Sequence, residues 1–228
     1  MKMLQRTVRE RVEFSGVALH SGAEVSVVIK PAPEDTGILF TRADLPKKPS
    51  IHATWKNVVD TQMSTVLGNR RTRIATVEHL MSALRGLNID NAFVEVYGPE
   101  VPILDGSSVS YIDALEAVGV IEQTKPVKYL QVLKPISVSI DDRFVYLLPA
   151  SDLKISCRVN YKHPVVGLQH FEYRHNTFNY IAEVAKAKTF GFLNEVEKLK
   201  EKGLALGGSY KNALVLGSDN VINKDIMS

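Results

Sequence analysis

The sequence predicts an α+β protein made of two similar units, and three observations carry this. Short β-rich runs give way to an amphipathic helix in the first half. The same order, strands and then helix, returns in the second half. Between them, residues 122–126 form a polar stretch closed by Pro126 that reads as a linker. The units are expected at residues 1–123 and 127–228. A chain of 228 residues with 45% hydrophobic and 23% charged side chains has the balance of a folded protein rather than a disordered one.

In chain order, residues 24–29 are β-rich and closed by Pro31 and Pro33, and residues 37–41 form a second strand. Residues 45–49 carry two prolines and must be loop. Residues 64–68 and 72–74 form a hairpin around Gly68-Asn69. The period then changes: Val77, Leu80, Met81 and Leu84 define one helix face, with Thr76 as the expected N-cap and Gly86 as the stop. Residues 92–97 are a strand, and residues 111–118 a helix with Ile112 and Leu115 inward. In the second half, strands are expected at 134–140, 143–148, 154–159 and 169–173. Helices follow at about 178–188, with Ile181, Val184 and Ala185 on one face, and at 194–202, with Val196 and Leu199 inward. A last strand falls at 213–216, and residues 221–228 hold too few apolar groups for another packed element.

Charge and composition exclude several classes. A net charge of +3 is low and dispersed, which argues against nucleic acid and remains compatible with an anionic small molecule. Cys157 alternates with Leu153, Ile155 and Val159, which predicts a buried, inert thiol; a lone cysteine fits a reducing compartment. The N-terminal residues form no apolar signal region, and no apolar run reaches membrane-spanning length. A cytoplasmic protein that is not integral to a membrane is expected.

Chemistry-bearing residues gather in short motifs. In TVEHL, Glu78 and His79 lie in the first helical turn; a neutral imidazole can bind zinc and a neighbouring carboxylate can take a proton from metal-bound water. The adjacent pair lacks the HExxH spacing. GVALHSG, residues 16–22, reads as a tight hairpin bearing His20, and PILDGS, residues 102–107, as turn chemistry at Asp105-Gly106. Phe190 and Phe192 either line an apolar channel or pack in the core. His52, His163, His170 and His175 read as surface histidines.

Taken together, GVALHSG, TVEHL, GLNIDN, PILDGS, AKTFGF and LALGGS occur in an order that resembles the UDP-3-O-acyl-N-acetylglucosamine deacetylases, zinc enzymes of lipid A biosynthesis in Gram-negative bacteria. The resemblance implies two α+β domains with their helices packed between two sheets. It implies hydrolysis of the N-acetyl group of the acylated UDP sugar, releasing acetate, with Zn2+ as cofactor. His79 matches a zinc ligand, Glu78 the general base, and Thr189 a residue that holds the oxyanion. Leu19, His20, Met63, Phe190 and Val196 match positions that line the substrate cleft and acyl passage. The family's later His-Lys-x-x-Asp segment, which supplies the other zinc ligands, has no counterpart in this sequence. The second unit is therefore expected to be incomplete and C-terminally truncated, and this chain to be inactive by itself. A non-catalytic module that binds acylated UDP sugars is the alternative.

Overall fold

A computed structural model describes residues 3–227 and shows a mixed α/β protein with several sheets. In the first half, strands β1 (Leu4–Val8), β2 (Val12–Val17), β3 (Glu24–Pro31), β4 (Ile38–Arg42), β5 (Ser50–His52), β6 (Val58–Asp60), β7 (Val66–Gly68) and β8 (Arg73–Ile74) precede helix α1 (Glu78–Gly86). Strand β9 (Ala92–Tyr97), helix α2 (Val109–Val118) and strand β10 (Val120–Pro126) follow. The main sheet is five-stranded in the order β2-β3-β9-β4-β5, with β4 and β9 parallel and the other pairs antiparallel. The expected hairpin at Gly68-Asn69 forms as β7-β8, and β6 joins it as a third strand.

Period-two patterning explains the central strand. On β9, Ala92, Val94 and Val96 are fully buried, whereas Glu95 turns to the other face and pairs with Lys30 at 2.7 Å. Leu80, Ala83 and Leu84 of α1 bury against the same core, with Tyr111, Ile112 and Leu115 of α2. Each leucine or isoleucine side chain among these gains roughly 1.5–3 kcal/mol on burial.

The second half holds β11 (Ile136–Ile140), β12 (Arg143–Leu147), β13 (Lys154–Asn160), β14 (Leu168–Arg174), a helical turn α3 (Thr177–Asn179), β15 (Phe190–Phe192), helix α4 (Leu193–Glu201) and β16 (Leu214–Leu216). Its strands pair only two by two, as β11-β12, β13-β14 and the parallel β15-β16. Tyr173, Tyr180 and Ala185 nonetheless belong to the first-half core. Gly86 makes this contact possible: any side chain there would collide with the Tyr180 ring.

Several sequence expectations are corrected. Residues 122–126 are not a linker, because they belong to β10, which pairs antiparallel with β1. Cys157 is exposed, since among the described residues β13 pairs with β14 alone and no second layer covers it. The single helix expected at 178–188 is instead α3 followed by a wide π turn over Tyr180–Val184, closed by the Ala185 N–H donating to the Tyr180 carbonyl at 2.9 Å. Such widened turns recur at functional sites. On α4, Val196 and Leu199 do form the inward face as expected, but they are half-buried rather than buried, while the rest of the helix is exposed.

Candidate active site

The TVEHL motif stands at the start of α1, but Thr76 does not cap it. The residue before the helix is Val77, and Thr76 adopts the left-handed region at φ 56°. This is an unfavourable conformation for a β-branched residue. Its hydroxyl turns away from the helix and donates to the Glu100 carboxylate at 2.7 Å.

Glu78 is the first residue of α1, and its carboxylate accepts the Thr65 N–H at 3.0 Å. His79 follows, half-buried, with its carbonyl accepting the Ser108 hydroxyl at 3.3 Å. Burial holds the His79 imidazole below the usual histidine range, against the opposing pull of the Glu78 and Asp105 carboxylates. This direction favours the neutral ring, the form that binds a metal.

PILDGS meets AKTFGF beside this helix. Lys188 donates to the Asp105 carboxylate at 2.6 Å and to the Asp105 carbonyl at 3.0 Å. Burial pushes the Asp105 carboxyl up, but the Lys188 ammonium and the Ser107 donors outweigh it and hold the group below its ordinary value. The Thr189 N–H donates to the Gly106 carbonyl at 2.9 Å, and the Thr189 carbonyl accepts the Leu214 N–H at 2.9 Å. Gly106, at φ 80°, lies so close to the Asn212 carbonyl that only glycine fits.

GVALHSG meets LALGGS in the same way. The Leu206 N–H donates to the His20 carbonyl at 3.1 Å and the Gly207 N–H to the Leu19 carbonyl at 3.0 Å. His20 is buried, and its Nδ1 accepts the Ala205 N–H at 3.3 Å. Among the described residues, His20 Nε2 is buried without a hydrogen-bond partner.

The remaining predicted residues lie apart from these contacts. Met63 is exposed at φ 62° in the connection between β6 and β7. Phe190 is 42% exposed and stands in an aromatic cluster with Tyr161 and Phe192, at ring distances of 5.8 and 5.9 Å. That cluster adjoins an open cavity of about 630 Å³ lined by Tyr161, Lys162, His163, Phe192, Glu195 and Ser218. Phe192 therefore lines this cleft, and Phe190 packs beside it, partly exposed and outside the buried core. His163 is half-buried at the rim of this open cavity: its ring packs on Phe192 at 5.4 Å and its Nε2–H donates to the Gly217 carbonyl at 2.8 Å. His175 is likewise half-buried, bonded to Tyr173 and Asn88. Sequence reasoning missed Glu100, Tyr161 and His163 as site-forming residues, and it gave no role to Lys188 within AKTFGF. For Glu100 the signal was its position beside PILDGS.

Among the described residues, no group of three or more His, Cys, Asp or Glu converges to hold a metal ion. A catalytic zinc site takes three protein ligands, so the residues present do not make a complete one. No described helix is long and apolar enough to cross a membrane.

Comparison with known proteins now gives the fold and site a class: enzymes that remove an acyl group from a sugar amine. The family model for LpxC, UDP-3-O-acyl N-acetylglycosamine deacetylase, matches residues 5–228. The UDP-3-O-acyl-N-acetylglucosamine deacetylase of Myxococcus xanthus is 44% identical over 97% of this chain and 70% of its own length. That of Acidithiobacillus ferrooxidans is 43% identical over 97% and 73%. That of Nautilia profundicola is 42% identical over 98% and 76%. The chain belongs to the UDP-3-O-acyl-N-acetylglucosamine deacetylase family and spans about three quarters of these relatives' length.

Proposed function

We propose that this chain carries part of the active site of a deacetylase acting on UDP-3-O-acyl-N-acetylglucosamine, the reaction by which its relatives are named. The observation that carries the reading is the packing of TVEHL, PILDGS and AKTFGF into one connected region, with Asp105 bridging to Lys188 and acting electrostatically on His79. In this reading the reaction breaks the amide C–N bond and releases acetate and the free sugar amine. Zinc, the cofactor that the family resemblance implies, would have His79 as one of its ligands. The described residues do not supply the rest of the set, so no step is assigned to the metal.

This chain's own groups have definite tasks. Glu78, held by the Thr65 N–H, is the general base that takes a proton from the attacking water. Thr189, fixed by backbone bonds to Gly106 and Leu214, places its hydroxyl for the tetrahedral oxyanion. Leu19, His20, Met63, Phe190 and Val196 contact the substrate or its acyl chain. The two-unit architecture at residues 1–123 and 127–228, with helices between sheets, and a cytoplasmic location without nucleic-acid partners belong to the same proposal. By itself the chain holds zinc weakly and does not turn over.

One observation favours a second reading. The cavity beside Tyr161, Phe192 and Lys162 offers flat aromatic faces and a cation, which suits a nucleotide base and its phosphates. A module that binds acylated UDP sugars without hydrolysing them would use the same surface.

Metal uptake decides between these. After dialysis against Zn2+, the chain is expected to retain less than one equivalent, and His79→Ala to remove even that. Acetate release from the acylated UDP sugar is expected to be absent. Tight stoichiometric zinc, or acetate release by the chain alone, overturns the claim that the site is unfinished. Sugar binding that His79→Ala leaves unchanged and zinc does not affect favours the binding module.

A further inference from the structure

We infer that Glu100 is a positioning residue that sets both the TVEHL helix start and the His20 loop in one geometry; its meaning for catalysis rests on the deacetylase reading above. Glu100 is 1% exposed, yet no cation pairs with it among the described residues. Its carboxylate is bound instead by neutral donors from two separate motifs. His20 N–H donates at 3.0 and 3.2 Å to its two oxygens, Ser21 N–H at 3.0 Å, and the Thr76 hydroxyl at 2.7 Å. Both oxygens act as acceptors, so a side chain that brings its own donor cannot take this place without a clash.

The backbone repeats the connection. Ala75 N–H donates to the Pro99 carbonyl at 3.0 Å and Val101 N–H to the Ala75 carbonyl at 3.1 Å, which brackets Glu100 against Thr76. Thr76 sits at φ 56°, a conformation that persists only where its surroundings over-determine it. That backbone setting fixes the direction in which α1 begins, and therefore where Glu78 and His79 point two and three residues later. At the other end, the hold on the His20 N–H fixes the loop whose imidazole Nδ1 accepts from Ala205. Its Nε2 then carries the proton, buried and unpartnered among the described residues. One acidic side chain thus sets two imidazoles that the sequence places nearly sixty residues apart. A purely structural role would only seal buried amides; a positioning role also moves the rings.

The test uses the whole chain with Thr76→Val, Thr76→Ser and Glu100→Gln. Long-range 1H–15N spectra read the His79 and His20 ring nitrogens, and amide exchange reads His20 and Ser21. Thr76→Val, which removes the hydroxyl but keeps the shape, is expected to shift the His79 ring signals. Thr76→Ser is expected to restore them to the wild-type positions. Glu100→Gln sets an amide donor against the Ser21 or His20 N–H, and should speed exchange there about tenfold or more. Wild-type His79 signals in Thr76→Val, or equal shifts in Thr76→Val and Thr76→Ser, overturn the proposal. Should Glu100→Gln fail to fold, the valine and serine pair decides alone. Adding Zn2+ to the wild type tests the functional reading separately: a His79 ring indifferent to zinc sinks the metal role and leaves the positioning result standing.

Discussion

Strand β9 and the hairpin β11-β12 carry the same kind of sequence and meet different fates. On β9, Val94 and Val96 are completely buried beneath α1 and α2. On β11, Val138 and Ile140 occupy equivalent alternating positions and are 60% and 68% exposed. Their cross-strand partners do not change this, since Val145 opposite Val138 and Arg143 opposite Ile140 are exposed as well. Alternation therefore specifies which residues share a face, while burial requires a second layer to cover that face. In the first half the helices provide the layer; over β11-β12 no described element does.

The sharpest way to break this comparison is a pair of truncations. Phe40→Ala empties a fully buried site at the sheet centre and is expected to cost about 3–5 kcal/mol. Val138→Ala removes apolar surface that is already in water and should change stability by less than about 0.5 kcal/mol. Urea unfolding of both variants checks the contrast. A loss at Val138 comparable to that at Phe40 would mean that the hairpin face is covered in solution.

The boundary between the regions gives the next effect. Gly86→Ala pushes a methyl group into the Tyr180 ring and is expected to cost about 1–3 kcal/mol. It should also speed amide exchange in residues 173–185 more than in β9. Equal exchange in both places would show that Tyr180 does not hold the second half against α1. A smaller effect is expected from Lys188→Met, which keeps the stem and removes the charge. It leaves Asp105 without its 2.6 Å partner and should cost about 1–2 kcal/mol, read again by urea unfolding. Because Lys188 precedes Thr189, the Thr189 amide should exchange faster in the same variant.

The strands were legible because they depend on local pattern. The expected runs at 92–97, 143–148 and 154–159 match β9, β12 and β13 to within a residue or so, and the Gly68-Asn69 hairpin forms where Gly and Asn mark it. What failed was whatever depends on a distant partner. Residues 122–126 look like a linker until β1 pairs with them, more than a hundred residues away in sequence. Thr76 has the chemistry of a helix cap, but a buried carboxylate twenty-four residues on takes its hydroxyl. The helix expected at 178–188 widens into a π turn because Tyr180 and Ala185 must reach the core together, which a 3.6-residue period does not allow. At the site, the motifs were visible one by one. The bonds joining them, Asp105 to Lys188 and Glu100 to His20, run between segments and leave no trace in spacing.

The subtlest difference between the regions is one of pH. His175 reaches from the second half to Asn88, donating Nε2–H to the amide oxygen at 3.0 Å, while Tyr173 donates its hydroxyl to Nδ1 at 2.8 Å. Burial, and then the Arg85 guanidinium, hold this imidazole below the usual histidine range. The folded chain therefore takes up the proton less readily than the unfolded chain, whose histidines titrate near about 6.5. Stability from this group is full at higher pH and falls as pH drops through that value, levelling off once the folded-state imidazole is also protonated. His79 has a shift of the same sign, so the wild-type profile contains both. His175→Gln keeps a donor toward Asn88 and cannot titrate. The difference between the two unfolding profiles from pH 8 to pH 5 isolates the contribution, and it should appear as a shallower acid loss in the variant. Parallel profiles would mean that His175 is protonated as easily in the folded chain as in the unfolded one, and that the contact between the halves does not depend on its neutrality.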